Sequence, residues 1–191
     1  ELIKRGYLTP PVIRFMNMPG HTSYAPMQRS FLIKRFIVEN VERNKLIAAV
    51  AADFAQEGKS VLIAVNQVKH AEILKGMVDA VSSDRCVIMD GKVDSRTRQK
   101  ILKELQDKKL RIIISTLMKE GVDVPSLDVV INAAGGSDST QLIGRALRKS
   151  EGKEVATIVD FIDNQHIRLL HNSKARIKRC KQEEEFMVLL A

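Results

Sequence analysis

The sequence is poor in aromatic residues and in cysteine. It has no tryptophan, and aromatic residues make up only 4% of the chain. With so few rings, base stacking is not expected to dominate any recognition of nucleic acid. Only Cys86 and Cys180 occur, without a CxxC pair or a nearby histidine cluster, so neither a disulfide framework nor a zinc site is predicted. This cysteine usage fits a reducing cytoplasm.

Long apolar runs and phosphate-binding loops are also missing. No apolar run approaches the roughly 20 residues that cross a bilayer, and residues 1–11 do not form a signal peptide. The sequence contains no phosphate loop of the form GxxxxGKS/T, and no DEAD-like or DExH-like acidic quartet follows a strand. His166 and His171 do not share the helix face that an i, i+4 metal pair needs, so no metal site is predicted.

Length and charge limit the remaining classes of protein. At 191 residues and 45% hydrophobic, the chain can form one α/β domain with end segments. Its 31 basic and 23 acidic residues give a net charge of +8. This charge favours a polyanionic partner, with nucleic acid as the leading candidate, although a merely soluble basic protein would look the same. The first methionine is Met16, inside a predicted strand, so we expect Glu1 to be a cut through a longer protein.

Short apolar runs rich in β-branched residues alternate with segments of helical periodicity. This alternation predicts a doubly wound α/β fold, with a mainly parallel sheet of about six strands and helices on both faces. The predicted strands are VIRFM (12–16), SVLIAV (60–65), CVIM (86–89), RIIIS (111–115), DVVINA (128–133) and VATIVDF (155–161). The predicted helices cover 41–57, 67–80, 94–108, 138–149 and a tail from about 164. Gly58 is predicted to end the first helix, and Asp94 to cap the third.

Polar residues and glycine follow the predicted strands. Asn66 and Thr116 come directly after two of them, Gly91 comes two residues after a third, and a helix containing Gln141 follows a fourth. Ligands of doubly wound sheets bind at the carboxyl ends of the strands, where the loops lead into helices. The sequence therefore predicts a functional site at this edge of the sheet.

The strongest single pattern is the octet QLIGRALR at residues 141–148. At about 100° per residue, Gln141, Arg145 and Arg148 share one helix face, whereas Leu142, Ile143, Ala146 and Leu147 form the core-facing side. Gly144 removes a side chain beside the arginines, which would let a phosphate or another domain approach. The planar guanidinium fork suits a phosphoryl group. Two arginines on a helix are otherwise most simply a solvated basic face.

The octet and the residues before it resemble motifs of superfamily-two helicases. QLIGRALR matches QxxGRxxR, whose two arginines reach the γ-phosphate of ATP held by the other motor domain. The segment ISTLMKEGVDVPSLDVVINA (114–133) resembles the preceding motif. That resemblance implies that Thr116 contacts a nucleic-acid phosphate and that Gly121 and Asp123 face the nucleotide, as do Gln141, Arg145 and Arg148.

Two further segments resemble the same helicases. SVLIAVNQVKHAEIL (60–74) and DGKVDSRTRQKIL (90–102) match the first conserved strand and the next loop and helix. They imply nucleic-acid contacts by Asn66, Gly91, Lys92 and Arg98. For Asn66 a plain turn residue is an equal alternative, and His70 is interpreted as a surface helix residue. DGKVDSRTRQ, VDFID and the glutamine that opens the octet favour the phage UvsW-like and XPB-like branch of DNA helicases.

The resemblance implies a division of the chain into three parts. Residues 1–11 would be a connector from a first RecA-like domain, 12–163 the C-terminal RecA-like domain, and 164–191 a basic helical tail. The tail could lie along a phosphate backbone, but docking with Ile167, Leu170 and Ile177 inward is favoured. The stretch PGHTSYAPMQRS (19–30) matches no motif.

The implied activity belongs to a larger enzyme. ATP with Mg²⁺ would be held mainly by the first domain, so this chain alone is expected to be inactive. The implied nucleic-acid partner is DNA, with RNA left open. The implied setting is the cytoplasm of a bacterial or archaeal cell, with phage origin open. Two alternatives remain: a non-catalytic basic nucleic-acid-binding module, and a doubly wound nucleotide-binding domain that acts alone.

Overall fold

The fold is one seven-stranded sheet in which every strand pairs in parallel. The computed structural model describes residues 3, 5, 7–116, 127–149 and 153–191, with only the backbone of Arg145. The strand order is β3-β4-β2-β5-β6-β1-β7. The strands are β1 Pro11–Asn17, β2 Val61–Ala64, β3 Cys86–Met89, β4 Ile112–Ser115, β5 Val129–Asn132, β6 Ala156–Ile162 and β7 Met187–Leu190. The predicted doubly wound fold is confirmed, with seven strands rather than six.

Helices cover both faces of this sheet. They are α1 Arg29–Ile33, which continues into a π-helical turn at Lys34–Val38, α2 Val41–Gln56, α3 Val68–Val81, α4 Ser95–Gln106, α5 Thr140–Ala146 and α6 Ile167–Gln182. Alternate residues of β2 point to opposite faces, so Leu62 packs in a core with α4 and α5, and Ile63 in a core with α2 and α3. The sheet therefore has two apolar cores, one under each helical layer.

Local signals set several helix ends as expected. The Asp94 carboxylate accepts a hydrogen bond from the Thr97 backbone N–H at 3.0 Å and caps α4. Gly58 adopts a φ of +78° just after α2, a conformation that glycine takes at no steric cost. Both predictions are confirmed, and Asn40 caps α2 in the same way as Asp94 caps α4.

The C-terminal segment differs from the predicted helical tail. Residues Met187–Leu190 form β7 and pair with β1 at the edge of the main sheet. The inward side of α6 is also shifted, because its buried residues are Leu169, Ser173, Arg176 and Cys180, while the predicted Ile167, Leu170 and Ile177 are only half-buried. The correction has a physical reason: buried Arg176 has carboxylate partners that no local periodicity reveals. In the described part of the chain, no helix is long and apolar enough to cross a membrane.

Candidate functional site

A crevice opens at the carboxyl edge of the sheet between β2 and β5. These neighbouring strands lead into helices on opposite faces, β2 into α3 and β5 into α5. Such a switch point leaves a gap between the two departing chains, where doubly wound folds bind ligands. A cavity of about 490 Å³ occupies this gap. Its polar side chains include Arg29, Asn66, Thr116, Ser137, Asp138 and Gln141.

Asn66 and Thr116 stand side by side at the ends of adjacent strands. Ala64 and Ser115 are register partners, and the Val65 backbone N–H donates to the Ser115 carbonyl oxygen at 3.0 Å. Thr116 follows Ser115 and Asn66 follows Val65, so Asn66 lies one residue further along its strand than Thr116. Gln141 lines the same cavity from α5, so the structure brings together three of the sequence-predicted residues.

The residues after β3 lie apart from this crevice. Gly91 and Lys92 form an exposed turn in which the Lys92 backbone N–H donates to Asp90 Oδ1 at 2.9 Å. Arg98 is half-buried, and its Nη2 donates to the Val93 carbonyl oxygen at 3.2 Å. Its guanidinium therefore braces its own loop, and none of these three residues lines the cavity.

Part of the predicted nucleotide face lies outside the described residues. Gly121 and Asp123 fall within 117–126, and the side chain of Arg145 is likewise outside them. The core side of the octet is described, and it is as predicted. Leu142, Ile143, Ala146 and Leu147 are all buried, as their spacing required.

The arginine helix is shorter than its sequence pattern. It was predicted over 138–149, but α5 ends at Ala146, so the prediction that Arg148 shares a helix face with Gln141 is wrong. Arg148 instead forms an isolated antiparallel bridge with Leu8. The chain leaves the helix there because Thr9 N–H donates to the Leu147 carbonyl at 2.8 Å and Lys153 Nζ donates to the Ala146 and Arg148 carbonyls at 2.5 and 3.2 Å. These contacts fix the backbone of Arg148, whose side chain is exposed.

The loop between β5 and α5 is held from one side by buried Arg43. Arg43 Nε donates to Asp163 Oδ1 at 2.7 Å, and Nη1 donates to the Ala133 carbonyl oxygen at 2.9 Å. Its guanidinium also lies 5.1 Å from the centre of the Phe161 ring, within cation–π range. Arg43 thereby joins α2 to the first residue of the loop.

Buried Arg176 holds the same loop from α6. Its Nε and Nη2 donate to Asp160 Oδ2 and Oδ1, both at 2.9 Å, which is the bidentate geometry of a strong guanidinium pair. Arg176 Nη1 donates to the Gly136 carbonyl oxygen, and Asn132 donates its amide to Asp160 Oδ2 at 2.9 Å. Contacts from α2, α6 and β6 therefore fix the path of this loop, which lines the crevice.

The sequence carried a signal for this arrangement. VDFID places Asp160 and Asp163 at the end of an otherwise apolar, buried strand. A buried carboxylate is costly unless it is paired, so two acids in that position call for two buried cations. As a cue to the helicase branch alone, VDFID does not reveal this requirement.

The unassigned stretch 19–30 docks against the start of α6. Thr22 Oγ1 donates to the Asn164 carbonyl at 2.7 Å, and Ser23 bridges to His166. His166 Nδ1 accepts the Arg168 N–H at 3.1 Å, so Nε2 carries the proton that it donates to the Ala25 carbonyl at 2.9 Å. Arg29, the next-to-last residue of the stretch, was not assigned from the sequence and lines the crevice.

His70 was interpreted as a surface residue, and this is wrong. It is 1% exposed, and its Nε2 lies 2.9 Å from Asn44 Oδ1. Burial, together with the charge of Arg43, lowers the pKa of His70 to about 3. The neutral ring thus joins α3 to α2 in the core, away from the crevice.

Neither a metal site nor an activated thiol is found in the described part of the chain. Those residues contain no group of three or more His, Cys, Asp or Glu side chains that could hold a metal ion. Burial raises the pKa of the Cys86 thiol to about 12 and that of Cys180 to about 11. Neither cysteine is therefore suited to nucleophilic chemistry.

Comparison with known proteins gives both sequence and fold relatives. The chain is 33% identical over 131 residues to the ATP-dependent DNA helicase uvsW of Enterobacteria phage T4, covering 64% of this chain and 25% of that protein. It is 25% identical over 124 residues to the probable ATP-dependent RNA helicase ddx49 of Dictyostelium discoideum, covering 64% and 24%. The chain thus spans about a quarter of the length of these curated relatives.

Solved structures show the same fold. The crystal structure of T4 UvsW superposes with a TM-score of 0.72 at 23% identity, covering 96% of this chain and 41% of that one. A DEAD box protein from Methanococcus jannaschii gives a TM-score of 0.61 at 15% identity, covering 100% and 43%.

A family model settles the assignment. The helicase conserved C-terminal domain matches residues 42–150, which is more than half of the chain and includes the whole octet and every described crevice residue except Arg29. The chain belongs to the helicase conserved C-terminal domain family and has its RecA-like fold.

Proposed function

We propose that this chain is the second motor domain of an ATP-dependent DNA helicase or translocase. The observation that carries the proposal is the crevice at the switch point, where Asn66, Thr116 and Gln141 meet beside the QLIGRALR octet. The relatives named as ATP-dependent helicases support ATP use by the longer protein. Membership of the helicase C-terminal domain family supports a partner RecA-like domain.

In this proposal Arg145 and Arg148 act as arginine fingers. The Arg148 side chain is exposed, and its backbone is held by the bridge to Leu8 and by Lys153. Each guanidinium would donate to phosphate oxygens and offset the charge that spreads over them as the terminal phosphoryl group transfers. Gln141, Gly121 and Asp123 complete the proposed nucleotide face.

ATP with Mg²⁺ would be held mainly by the first domain. No described cluster of this chain fits a divalent cation, and the sequence has no phosphate loop. This chain then supplies charge to a nucleotide that it does not bind alone. Residues 1–11 would connect the two domains, which agrees with the contacts of Leu8 and Thr9 at the end of the octet.

The nucleic acid would be contacted through its backbone. Asn66 and Thr116 offer small polar groups at the crevice, while Gly91 and Lys92 form an exposed turn two strands away, with Arg98 bracing that turn. Phosphate contacts of this kind position a strand without reading its sequence. The T4 relative favours DNA over RNA. The buried, unpaired thiols fit a cytoplasmic setting.

Steady-state ATPase kinetics of the longer protein, at saturating DNA, test the arginine roles. Comparable fingers contribute on the order of 10³ to 10⁵ in rate, so Arg148→Ala and Arg145→Ala should each lower kcat by about that factor. The KM for ATP should change by roughly tenfold or less, because the fingers act on charge that develops in the transition state. Arg148→Lys should not restore the rate, since a point charge lacks the planar fork.

Lys149→Ala is the matched control, because it removes a neighbouring exposed charge outside the QxxGRxxR pattern. Its kcat should stay near that of the unmodified protein. An Arg148→Ala kcat within about threefold of the control would contradict the finger role, since the expected loss is orders of magnitude larger. DNA-stimulated hydrolysis by this chain alone would contradict the two-domain proposal.

A further inference from the structure

Arg29 is a cation at the crevice that has no partner in the described structure. It is exposed at the start of α1 and lines the same cavity as Asn66 and Thr116. Within the described residues it forms no hydrogen bond or ion pair. Its five N–H donors are therefore available to a ligand.

The backbone around Arg29 is held in place by contacts on both sides. The stretch before it is tied to the start of α6 through Thr22 and Ser23. Directly before α1, Arg168 Nη1 donates to the Met27 carbonyl oxygen at 3.1 Å. After Arg29, α1 buries Leu32 against Ile37 and Leu169. Anchors on both sides hold Arg29 over the crevice.

The polar side chains around Arg29 are also unsatisfied. Asn66, Thr116 and Gln141 form no side-chain hydrogen bond within the described part of the chain. Among the described residues that line the cavity, the one carboxylate is Asp138, which is engaged by Arg179 Nη1 at 3.0 Å and by the Thr140 hydroxyl at 2.6 Å. The crevice thus combines one unpaired cation with neutral donors, which is the chemistry of a phosphate site.

We propose that Arg29 binds a backbone phosphate of the nucleic-acid strand that Asn66 and Thr116 contact. This inference rests on the proposed function and extends it, because it assigns a nucleic-acid role to the segment 19–30. The guanidinium donates to phosphate oxygens, while the Thr116 hydroxyl and the Asn66 amide meet the same or the adjacent phosphate. The contact is independent of base identity.

The test measures binding of the 191-residue chain to a fluorescein-labelled oligothymidylate by fluorescence anisotropy over a series of salt concentrations. Arg29→Ala should weaken binding by roughly tenfold at low salt, as loss of a charged hydrogen bond predicts. It should also reduce the slope of log K against log salt by about one phosphate contact. Arg29→Lys should retain the slope, because it keeps the charge.

Arg35→Ala is the matched control. Arg35 is exposed six residues further on and lies outside the cavity, so its removal changes the net charge equally without removing the contact. An effect of Arg35→Ala on the slope equal to that of Arg29→Ala would overturn the inference. So would a lower affinity of the longer protein for a fluorescent ATP analogue in Arg29→Ala, with the affinity for the oligonucleotide unchanged.

A Thr116→Val variant separates the inference from the proposed function. If Thr116→Val weakens binding and Arg29→Ala leaves both affinity and slope unchanged, only the role of Arg29 fails. If the chain shows no salt-dependent binding, or if both variants bind like the unmodified chain, the proposed nucleic-acid contact at this crevice fails as well.

Discussion

Replacing Arg176 by methionine removes the cation of a buried ion pair and keeps an unbranched apolar side chain in its place. Arg176 and Asp160 have side chains that are 0% and 2% exposed, so the carboxylate left behind would stay buried with only the Asn132 amide and the Phe161 backbone N–H as donors. Breaking such a pair costs about 3–5 kcal/mol. The Gly136 carbonyl also loses its Arg176 donor, and the Phe161 carbonyl keeps only the Ser173 hydroxyl, which places the expected cost in the upper part of this range.

Urea unfolding of the chain, followed by far-UV circular dichroism, measures this cost directly. Arg179→Met is the control, since Arg179 lies three residues along the same helix and pairs with Asp138 at 3.0 Å, but with side chains 52% and 62% exposed. An exposed pair contributes about 0–1 kcal/mol. If Arg176→Met lowers the free energy of unfolding by less than about 1 kcal/mol, as the control does, the claim that burial makes this ion pair costly to break is refuted.

A double substitution tests whether the cost lies in the unpaired charge. Arg176→Met combined with Asp160→Asn removes both charges and keeps an amide beside Asn132. Its unfolding free energy should exceed that expected from adding the two single losses, by a coupling of about 0.5–3 kcal/mol. Strict additivity would mean that the two groups do not interact.

Two further predictions concern His70 and Lys153. The pKa of His70 lies near 3 in the folded chain against an ordinary value of 6.5, so the unfolded chain binds an extra proton between these values. Stability should therefore fall with decreasing pH through that window by up to about 1.4 kcal/mol per pH unit, and His70→Gln should flatten this dependence in urea titrations at several pH values. Lys153→Met should lower the unfolding free energy by about 1–3 kcal/mol, because it removes the donor to two carbonyls at the end of α5, whereas Lys149→Met should change it by about 0.5 kcal/mol or less. Equal urea midpoints for the two lysine variants would contradict this role.

The sequence predicts those elements whose cause is local. β1 to β6 follow from apolar runs, and the start of α4 follows from Asp94, whose carboxylate needs only a backbone N–H three residues away. The crevice could be placed for a similar reason, because in a parallel doubly wound sheet Asn66 and Thr116 must emerge at the same edge. Hydrophobic periodicity therefore predicts the strands and helices, and the parallel arrangement of the strands predicts the edge at which the crevice lies.

The missed features depend on partners far along the chain. α5 ends early because Thr9 and Lys153 capture its last carbonyls, and His70 is buried because Asn44 meets it from another helix. Neither contact can be seen in the local sequence pattern, because histidine is intermediate in burial between apolar and charged residues. β7 was missed because three of its four side chains are exposed, so it resembles an apolar end rather than a buried strand.

The buried ion pairs lie where they can shape the site. Ile131 and Val159 are register partners, so the next residue of each strand brings Asn132 beside Asp160, directly before the loop that floors the crevice. Apolar replacements of similar volume would often be as stable as such pairs. They could not, however, donate to the carbonyls of Ala133 and Gly136, which Arg43 and Arg176 hold from α2 and α6. The function of these pairs is therefore better explained by the fixed path of this loop, and with it the start of α5, than by any net gain in stability.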